Sequence, residues 1–171
     1  HVPLGIHMPS RVPPYFDFLI ERFHRGVVSR FVHVGHWDQP PPLDLHEPPR
    51  VEDIEPAVER LTQVLVDMAD LHDGQRVLDV GCGFGGTLQH INQRFGKMSL
   101  AGVNVDPRQL EICRQLDPLN QNDLQWVGAD ACQLPFPDRS FDRVLCIEAM
   151  FHFASRRTIF REVARVLRPG G

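Results

Sequence analysis

The fold of this chain is decided by a short segment near its middle, RVLDVGCGFGG at residues 76–86. Its apolar first half predicts a buried strand over residues 76–80, and its glycines predict a tight loop after that strand. Gly81, Gly83 and Gly86 satisfy the pattern GxGxxG, which brings backbone N–H groups close to a ligand at the start of a helix. The segment therefore predicts a strand, a ligand-binding loop and a helix in succession.

A regular alternation of helices and strands follows this loop. Helices are predicted over residues 85–95, from a cap at Asp106 to about residue 117, and over 155–167. Strands are predicted over residues 98–103, 124–127 and 141–147, the last of them almost wholly apolar and therefore buried. Such an alternation implies a parallel sheet with helices on both faces and right-handed crossovers. With the first strand central, the predicted fold is a doubly wound, Rossmann-like α/β sheet of strand order 3-2-1-4, whose ligands bind at the carboxyl ends of the strands.

The first fifty residues have a different character. They hold nine of the fifteen prolines, so much of this region is expected to be loop or extended arm. Within it, the apolar segment from Tyr15 to Phe23 predicts a short helix that Pro14 opens. A second amphipathic helix is predicted from Ile54 to Met68, with Pro56 in its first turn. We therefore divide the chain into an N-terminal arm, residues 1–50, and a core, residues 51–171.

Composition excludes several classes of protein. The 171 residues are 42% hydrophobic and 23% charged, as in soluble globular proteins. A net charge of −4 gives no electrostatic reason to expect a nucleic-acid partner. No apolar run approaches the roughly 20 residues that span a bilayer, and no leader is recognised, so we expect a cytoplasmic protein. The four cysteines form no CxxC pair, so neither a disulfide framework nor a bound metal is expected.

The glycine pattern alone would also suit a dinucleotide, but Asp79 argues against that interpretation. This carboxylate comes two residues before the loop, where it would repel a pyrophosphate in a partly desolvated site. The same carboxylate attracts a ligand that carries positive charge.

Three segments together resemble a known family. Residues 77–86 resemble the first motif of class I S-adenosyl-L-methionine (SAM) dependent methyltransferases. The stretch GADACQLPF at 128–136, followed by SFD at 140–142, resembles their adenine-binding motif, and REVARVLRPGG at 161–171 resembles the helix and turn before their fifth strand. The similarity is strongest to the small-molecule branch: quinone, sterol and tocopherol C-methyltransferases, and natural-product or sugar O-methyltransferases. It implies SAM as cofactor, S-adenosyl-L-homocysteine (SAH) as product, and a small-molecule acceptor methylated on oxygen rather than carbon or nitrogen.

The resemblance also implies which residues hold the cofactor. Asp79 and the carbonyl of Ile147 are expected near the methionine ammonium. The carboxylate of Asp130 and the N–H of Ala131 are expected at the adenine.

The ribose contacts are expected to depart from the family pattern. Many members end the second strand with an acidic residue, and this chain has Asn104 there. We therefore expect Asn104 and Gln109 to bind the ribose hydroxyls, without a charge-assisted bond. Gly81 and Gly83 would let the loop backbone approach the methionyl and ribose parts.

The segment after the fourth strand is expected to face the acceptor. His152 is our candidate general base, since its ordinary pKa lies near neutrality; a structural histidine is the alternative. Glu148 is a candidate for orienting the acceptor or balancing the cofactor's positive sulfur.

Four residues of the arm are candidates for the acceptor pocket. Tyr15 and Phe18 belong to the short apolar helix, which forms either a lid or part of the core. His36 and Trp37 resemble a short element near the cofactor site of some relatives; a packed loop is the alternative.

The resemblance stops where a fifth strand is expected, which would leave the fourth strand as an open edge. A further segment or another chain is therefore expected to complete the sheet. Two other functions stay open at this point: a non-catalytic SAM-binding module, and an NAD-dependent oxidoreductase.

Overall fold

The computed structural model describes residues 12–38 and 51–171, and four parallel strands form its centre. The strands are β1 (Arg76–Val80), β2 (Ser99–Asn104), β3 (Asp123–Gly128) and β4 (Arg143–Leu145). Their order is β3-β2-β1-β4, as predicted. The register sets Val80 opposite Val103, so the central strands end side by side and bring their following loops together.

Within the described ranges, five α-helices accompany the sheet: α1 (Tyr15–His24), α2 (Val51–Met68), α3 (Gly86–Arg94), α4 (Pro107–Cys113) and α5 (Arg156–Val166). Asp106 caps α4 by accepting a hydrogen bond from the Arg108 N–H at 2.9 Å, and Ser155 caps α5 through the Thr158 N–H at 3.2 Å. A Ser, Thr, Asp or Asn cap of this kind typically contributes about 1 kcal/mol.

The hydrophobic core lies on both faces of the sheet, as a doubly wound fold requires. Leu78 and Val80 point to one face and pack with Ile159 and Val166 of α5. Val77 points to the other face, in a cluster shared with α2 and α3. Successive residues of β1 therefore face opposite layers, and this is why the strand is apolar almost throughout.

Some predicted bounds were wrong. The fourth strand is shorter than the predicted 141–147, and its residues are only half-buried because β4 is the edge of the described sheet. Helix α4 ends at Cys113, short of the predicted 117, because the chain turns before Pro118, which disfavours helix in the residue ahead of it. Pro56 lies inside α2 and not in its first turn, since the helix begins at Val51.

The predicted arm is described only in part. Residues 1–11 and 39–50, which hold most of its prolines, lie outside the described residues. The helix predicted from Tyr15 to Phe23 is present as α1, and the chain after it crosses the glycine loop. The division into arm and core stays a prediction.

Candidate functional site

A cavity of about 280 Å³ opens at the carboxyl ends of the strands. Its floor is the glycine loop after β1, and its walls come from α1, from residues 30–33 and from the segment after β4. This is where ligands bind in doubly wound sheets. Eleven of the predicted site residues line it: Tyr15, Asp79, Gly81, Gly83, Asn104, Gln109, Asp130, Ala131, Ile147, Glu148 and His152.

The carboxyl group of Asp79 lies at the floor of the cavity, 2% exposed. Among the described residues no donor lies within hydrogen-bond distance of it, and burial raises its pKa to about 7. A buried carboxylate without a partner is costly unless a positive charge reaches it. The site therefore favours a cationic ligand group at this point.

The glycine loop allows close approach of the backbone. Gly81 and Gly83 have φ angles of +81° and +54°, the left-handed region that glycine adopts without strain. A Cβ at Gly81 would collide with the side chain of Ala149. These glycines therefore let the segment after β4 sit directly against the loop.

The amide of Asn104 is already used within the protein. Its Nδ2 donates to Gln109 Oε1 at 2.7 Å and to the Gly83 carbonyl at 3.2 Å, while its Oδ1 accepts from the Asp106 N–H at 3.2 Å. Gln109 is thereby fixed through its oxygen, and its Nε2 has no hydrogen-bond partner in the part of the chain that the structure describes. Of the pair expected at the ribose, Gln109 thus has the available donor, and Asn104 orients it.

Asp130 and Ala131 lie at the end of β3. Asp130 Oδ1 accepts from the Cys132 N–H at 2.8 Å, which fixes the carboxylate at the edge of the cavity. Ala131 is buried beside it.

The segment after β4 turns sharply at Glu148, whose φ is +47°. Its carboxylate accepts a hydrogen bond from the Val34 N–H at 2.9 Å, 114 residues away in the chain. Left-handed backbone is unfavourable for a side-chain-bearing residue, so the surroundings must hold this conformation. Glu148 therefore joins the chain after α1 to the wall that contains Ile147 and Ala149.

Tyr15 and His152 meet across the mouth of the cavity. Tyr15 Oη lies 2.6 Å from His152 Nε2, and the Phe16 ring packs edge-on against the imidazole at 6.0 Å between centroids. Burial lowers the pKa of His152 and raises the pKa of Tyr15, so both groups are held neutral near pH 7. The sequence predicted each residue at the site but not their pairing.

Three predicted pocket residues do not line the cavity. Phe18 lies on the outer face of α1, 56% exposed, with Arg22 over its ring. His36 and Trp37 are absent from the cavity lining, and the backbone N–H of His36 donates to the Ala57 carbonyl of α2 at 2.8 Å. Phe16 and Leu19 line the cavity in place of Phe18, and the helical spacing of the apolar residues in α1 could have distinguished the two faces.

Residues 30–33 form a wall that sequence reasoning missed. Arg30 Nη1 donates to the carbonyls of Phe84 at 3.1 Å and Ile112 at 2.9 Å, which holds this stretch on the glycine loop. A Cβ at Gly86 would meet Phe31 and the Arg30 carbonyl, so the contact is close. No sequence motif marks these residues.

No group of three or more His, Cys, Asp or Glu side chains among residues 12–38 and 51–171 could hold a metal ion. None of their helices has the length and apolar character needed to cross a membrane.

Comparisons with known proteins agree with this geometry. Methyltransferase GfsG of Streptomyces halstedii is 38% identical over 164 residues, covering 94% of this chain and 55% of that protein. O-methyltransferase rstn1 of Aspergillus nomiae is 37% identical over 84% of this chain and 61% of that protein. Cycloartenol-C-24-methyltransferase of Arabidopsis thaliana is 36% identical over 93% of this chain and 44% of that protein. The chain thus spans about half the length of the curated relatives it matches.

A solved structure extends the similarity to the whole described fold. The crystal structure of the cyclase SpnF matches 92% of this chain and 55% of its own, with a TM-score of 0.72 and 26% identity. Residues 78–171, more than half of the chain, match the family model described as a methyltransferase domain. On that match, and on the cavity at the ends of the strands, the chain belongs to the methyltransferase-domain family.

Proposed function

We propose that this chain belongs to an enzyme that transfers the methyl group of SAM to a hydroxyl oxygen of a small-molecule acceptor. The observation that carries the proposal is a single cavity with two chemically different sides. One side offers the buried, unpartnered Asp79, and the other offers the Tyr15–His152 pair. The named O-methyltransferases among the relatives support oxygen as the methylated atom. The comparisons support neither a non-catalytic module nor an oxidoreductase.

SAM is the cofactor that the family implies, and the described residues fit it. An unpartnered carboxylate at Asp79 suits the methionine ammonium. The available Nε2 of Gln109 suits a ribose hydroxyl, and Asp130 with Ala131 suits the adenine edge. A pyrophosphate would instead meet the Asp79 carboxylate, which disfavours a dinucleotide.

On the acceptor side, the Tyr15–His152 pair removes the proton of the acceptor hydroxyl. When bound, SAM provides an electrophilic methyl group, so the acceptor oxygen becomes the nucleophile by losing its proton. His152 is neutral near pH 7 and its Nε2 lies 2.6 Å from Tyr15 Oη, so its nitrogen is placed to accept the tyrosine proton. We propose that Tyr15 Oη takes the acceptor's proton as its own passes to His152 Nε2. The acceptor loses one proton, Tyr15 gains one and passes one on, and His152 gains one, so protons and charge balance.

Helix α1 has a second role in the proposal. Phe16 and Leu19 cover the cavity beside the Tyr15–His152 pair, which keeps water from the reacting groups. Arg108 holds this helix in place, because its guanidinium bonds both Asp17 at 2.6 Å and Asp106 at 2.7 Å.

The variant His152→Ala tests the acceptor side. We expect turnover to fall about 100-fold or more, because general-base catalysis is lost, while SAH affinity stays unchanged. Turnover is measured by methyl transfer from labelled SAM to a panel of small phenols and alcohols, and SAH affinity by calorimetry. Exposed His72, whose ring pairs with Asp70 outside the cavity, gives the matched control His72→Ala. Full turnover in His152→Ala would remove the base from the mechanism.

We further propose a reducing compartment such as the cytoplasm, which the four free cysteines support.

The edge of β4 is open in the described sheet, which supports pairing with a further segment of the polypeptide or with another chain, since an unpaired strand edge invites association.

A further inference from the structure

The charges around the cavity are unbalanced. Three carboxylates line it, those of Asp79, Asp130 and Glu148. Among the described lining residues, Arg30 is the one lysine or arginine side chain. In the proposed arrangement Asp79 and Asp130 face the cofactor, so Glu148 is the carboxylate among the three that is left for the acceptor.

Arg30 is committed to the protein itself. Its Nη1 donates to two backbone carbonyls, Phe84 O at 3.1 Å and Ile112 O at 2.9 Å, and its guanidinium lies 5.4 Å from the centre of the Phe23 ring. Turning Nη1 toward an anionic ligand would break both contacts with the chain beneath it. Among the described lining residues, the one guanidinium thus serves to hold residues 30–33 on the glycine loop.

The two histidines among the described lining residues are also engaged. His33 has both ring nitrogens bonded, Nδ1 at 2.9 Å from the Val34 carbonyl and Nε2 at 2.8 Å from Thr62 Oγ1. His152 is paired with Tyr15, and burial lowers its pKa, so it provides no counter-charge for a carboxylate at neutral pH.

The rest of the acceptor side is apolar. Phe16, Leu19, Val32, Ala149 and Phe153 line the same cavity as the Tyr15–His152 pair. A cavity of this composition binds apolar surface and uses a few polar groups to orient it.

From this lining of the cavity we infer that the acceptor is an uncharged, mainly apolar alcohol or phenol, and that the cavity rejects carboxylate and phosphate acceptors. The inference rests on the proposed function, because it names the class of substrate for the same site. Burying an anion without a cationic partner is strongly unfavourable, whereas a neutral hydroxyl needs one hydrogen bond. Glu148 is the specificity-determining residue, since its carboxylate stands at the acceptor side in the segment that carries His152.

The test compares a naphthol with the matching naphthoate, which share ring and size and differ in charge at neutral pH. Each is titrated into the SAH-saturated protein, because the sulfur of SAH is uncharged and the selectivity then comes from the protein. We expect the naphthol to bind at least about tenfold more tightly than the naphthoate. That factor corresponds to only part of the free energy that burying an unpaired charge requires. Equal or tighter binding of the naphthoate, or failure of the naphthol to bind, overturns the inference.

The variant Glu148→Gln tests the assigned residue. Glutamine keeps an oxygen for the Val34 N–H and removes the charge. We expect naphthoate affinity to rise about two- to threefold, a small factor because Glu148 is exposed and screened, with naphthol affinity unchanged. The control Glu111→Gln makes the same charge change at an exposed ion pair with Arg114 outside the cavity and should alter neither affinity. An unchanged ratio in Glu148→Gln overturns the assignment.

Binding and catalysis fail separately in this design. Selective naphthol binding without any methyl transfer from SAM would reject the proposed function and leave the charge selectivity standing. Methyl transfer to the naphthoate with the greater kcat/KM would reject the selectivity and leave the methyltransferase standing.

Discussion

Asp79 is the residue on which the proposed cofactor site depends, and its burial has a cost in the free protein. An ionised carboxylate that is 2% exposed and unpartnered by the described residues is poorly solvated, so its pKa rises from 3.8 to about 7. The motif predicted that this carboxylate meets a ligand. The motif did not predict the raised pKa, because burial of the carboxyl group depends on packing around the end of β1.

The variant Asp79→Asn should reveal this cost as a pH dependence of stability. Unfolded Asp79 ionises at its ordinary pKa while the folded form keeps its proton up to about pH 7, so the free energy of unfolding falls as pH rises between these values. We expect Asp79→Asn to gain about 2 kcal/mol relative to the unaltered protein between about pH 5 and pH 7. Urea unfolding without cofactor measures it, with exposed Asp117→Asn as the control. Parallel pH profiles for the two proteins would contradict the assignment.

Asn104 and Gln109 show which features of a binding site a sequence pattern predicts and which it does not. The resemblance predicted both side chains at the ribose, because Asn104 ends the second strand, where many family members have an acidic residue, and Gln109 follows in the next helix. The structure separates their roles: the amide of Asn104 is spent on Gln109, Gly83 and Asp106, and Gln109 keeps a donor for the ligand. Such a division depends on hydrogen-bond partners from other loops, which no pattern in the sequence contains.

At the scale of elements, helix α1 is joined to the rest by few contacts. Phe16 is its one buried side chain, and its ring packs against Tyr15 and His152. Its other ties among the described residues include the ring contact of Phe23 with Phe84 at 5.0 Å, the ion pair of Asp17 with Arg108 and the hydrogen bond of Tyr15. Exposed ion pairs contribute at most about 1 kcal/mol, so the aromatic contact dominates.

The variant Phe16→Ala should therefore loosen α1 without unfolding the sheet. We expect backbone amides of Tyr15–His24 to exchange hydrogen at least about tenfold faster, because local opening requires only these contacts to break, while amides of β1 and β2 keep their protection. Hydrogen exchange followed by mass spectrometry measures both. The control Phe18→Ala removes an equal ring from the exposed face of the same helix and should change little. Equal loss of protection in the sheet would show that α1 is part of the core.

The elements themselves follow closely from local sequence. The bounds of β1 agree with the prediction because an apolar strand followed by glycines is a strong local signal. Strand β4 was predicted too long, since an apolar run does not show where pairing ends: Phe141 makes a separate bridge to Leu167, and pairing with β1 starts at Arg143.

On the scale of the whole molecule, the sheet could be predicted and the closure of the cavity could not. Strand order follows from the alternation of elements and the handedness of their connections. The contacts that close the site join residues far apart in the chain: Asp17 with Arg108 across 91 positions, Val34 with Glu148 across 114, and Tyr15 with His152 across 137. Each contact joins the surfaces of two separate segments, and neither periodicity nor sequence motifs predict which surfaces will meet.

The central claim, that this cavity is a SAM site, is tested most directly by calorimetric titration of SAH, with NAD as the control ligand and Asp79→Asn as the control protein. The account predicts one SAH per chain with a Kd in the range of roughly 1 μM to 1 mM that is usual for enzyme ligands, at least about tenfold weaker binding by Asp79→Asn, and no binding of NAD. Binding of NAD in preference to SAH, or SAH affinity that is indifferent to Asp79→Asn, would contradict it.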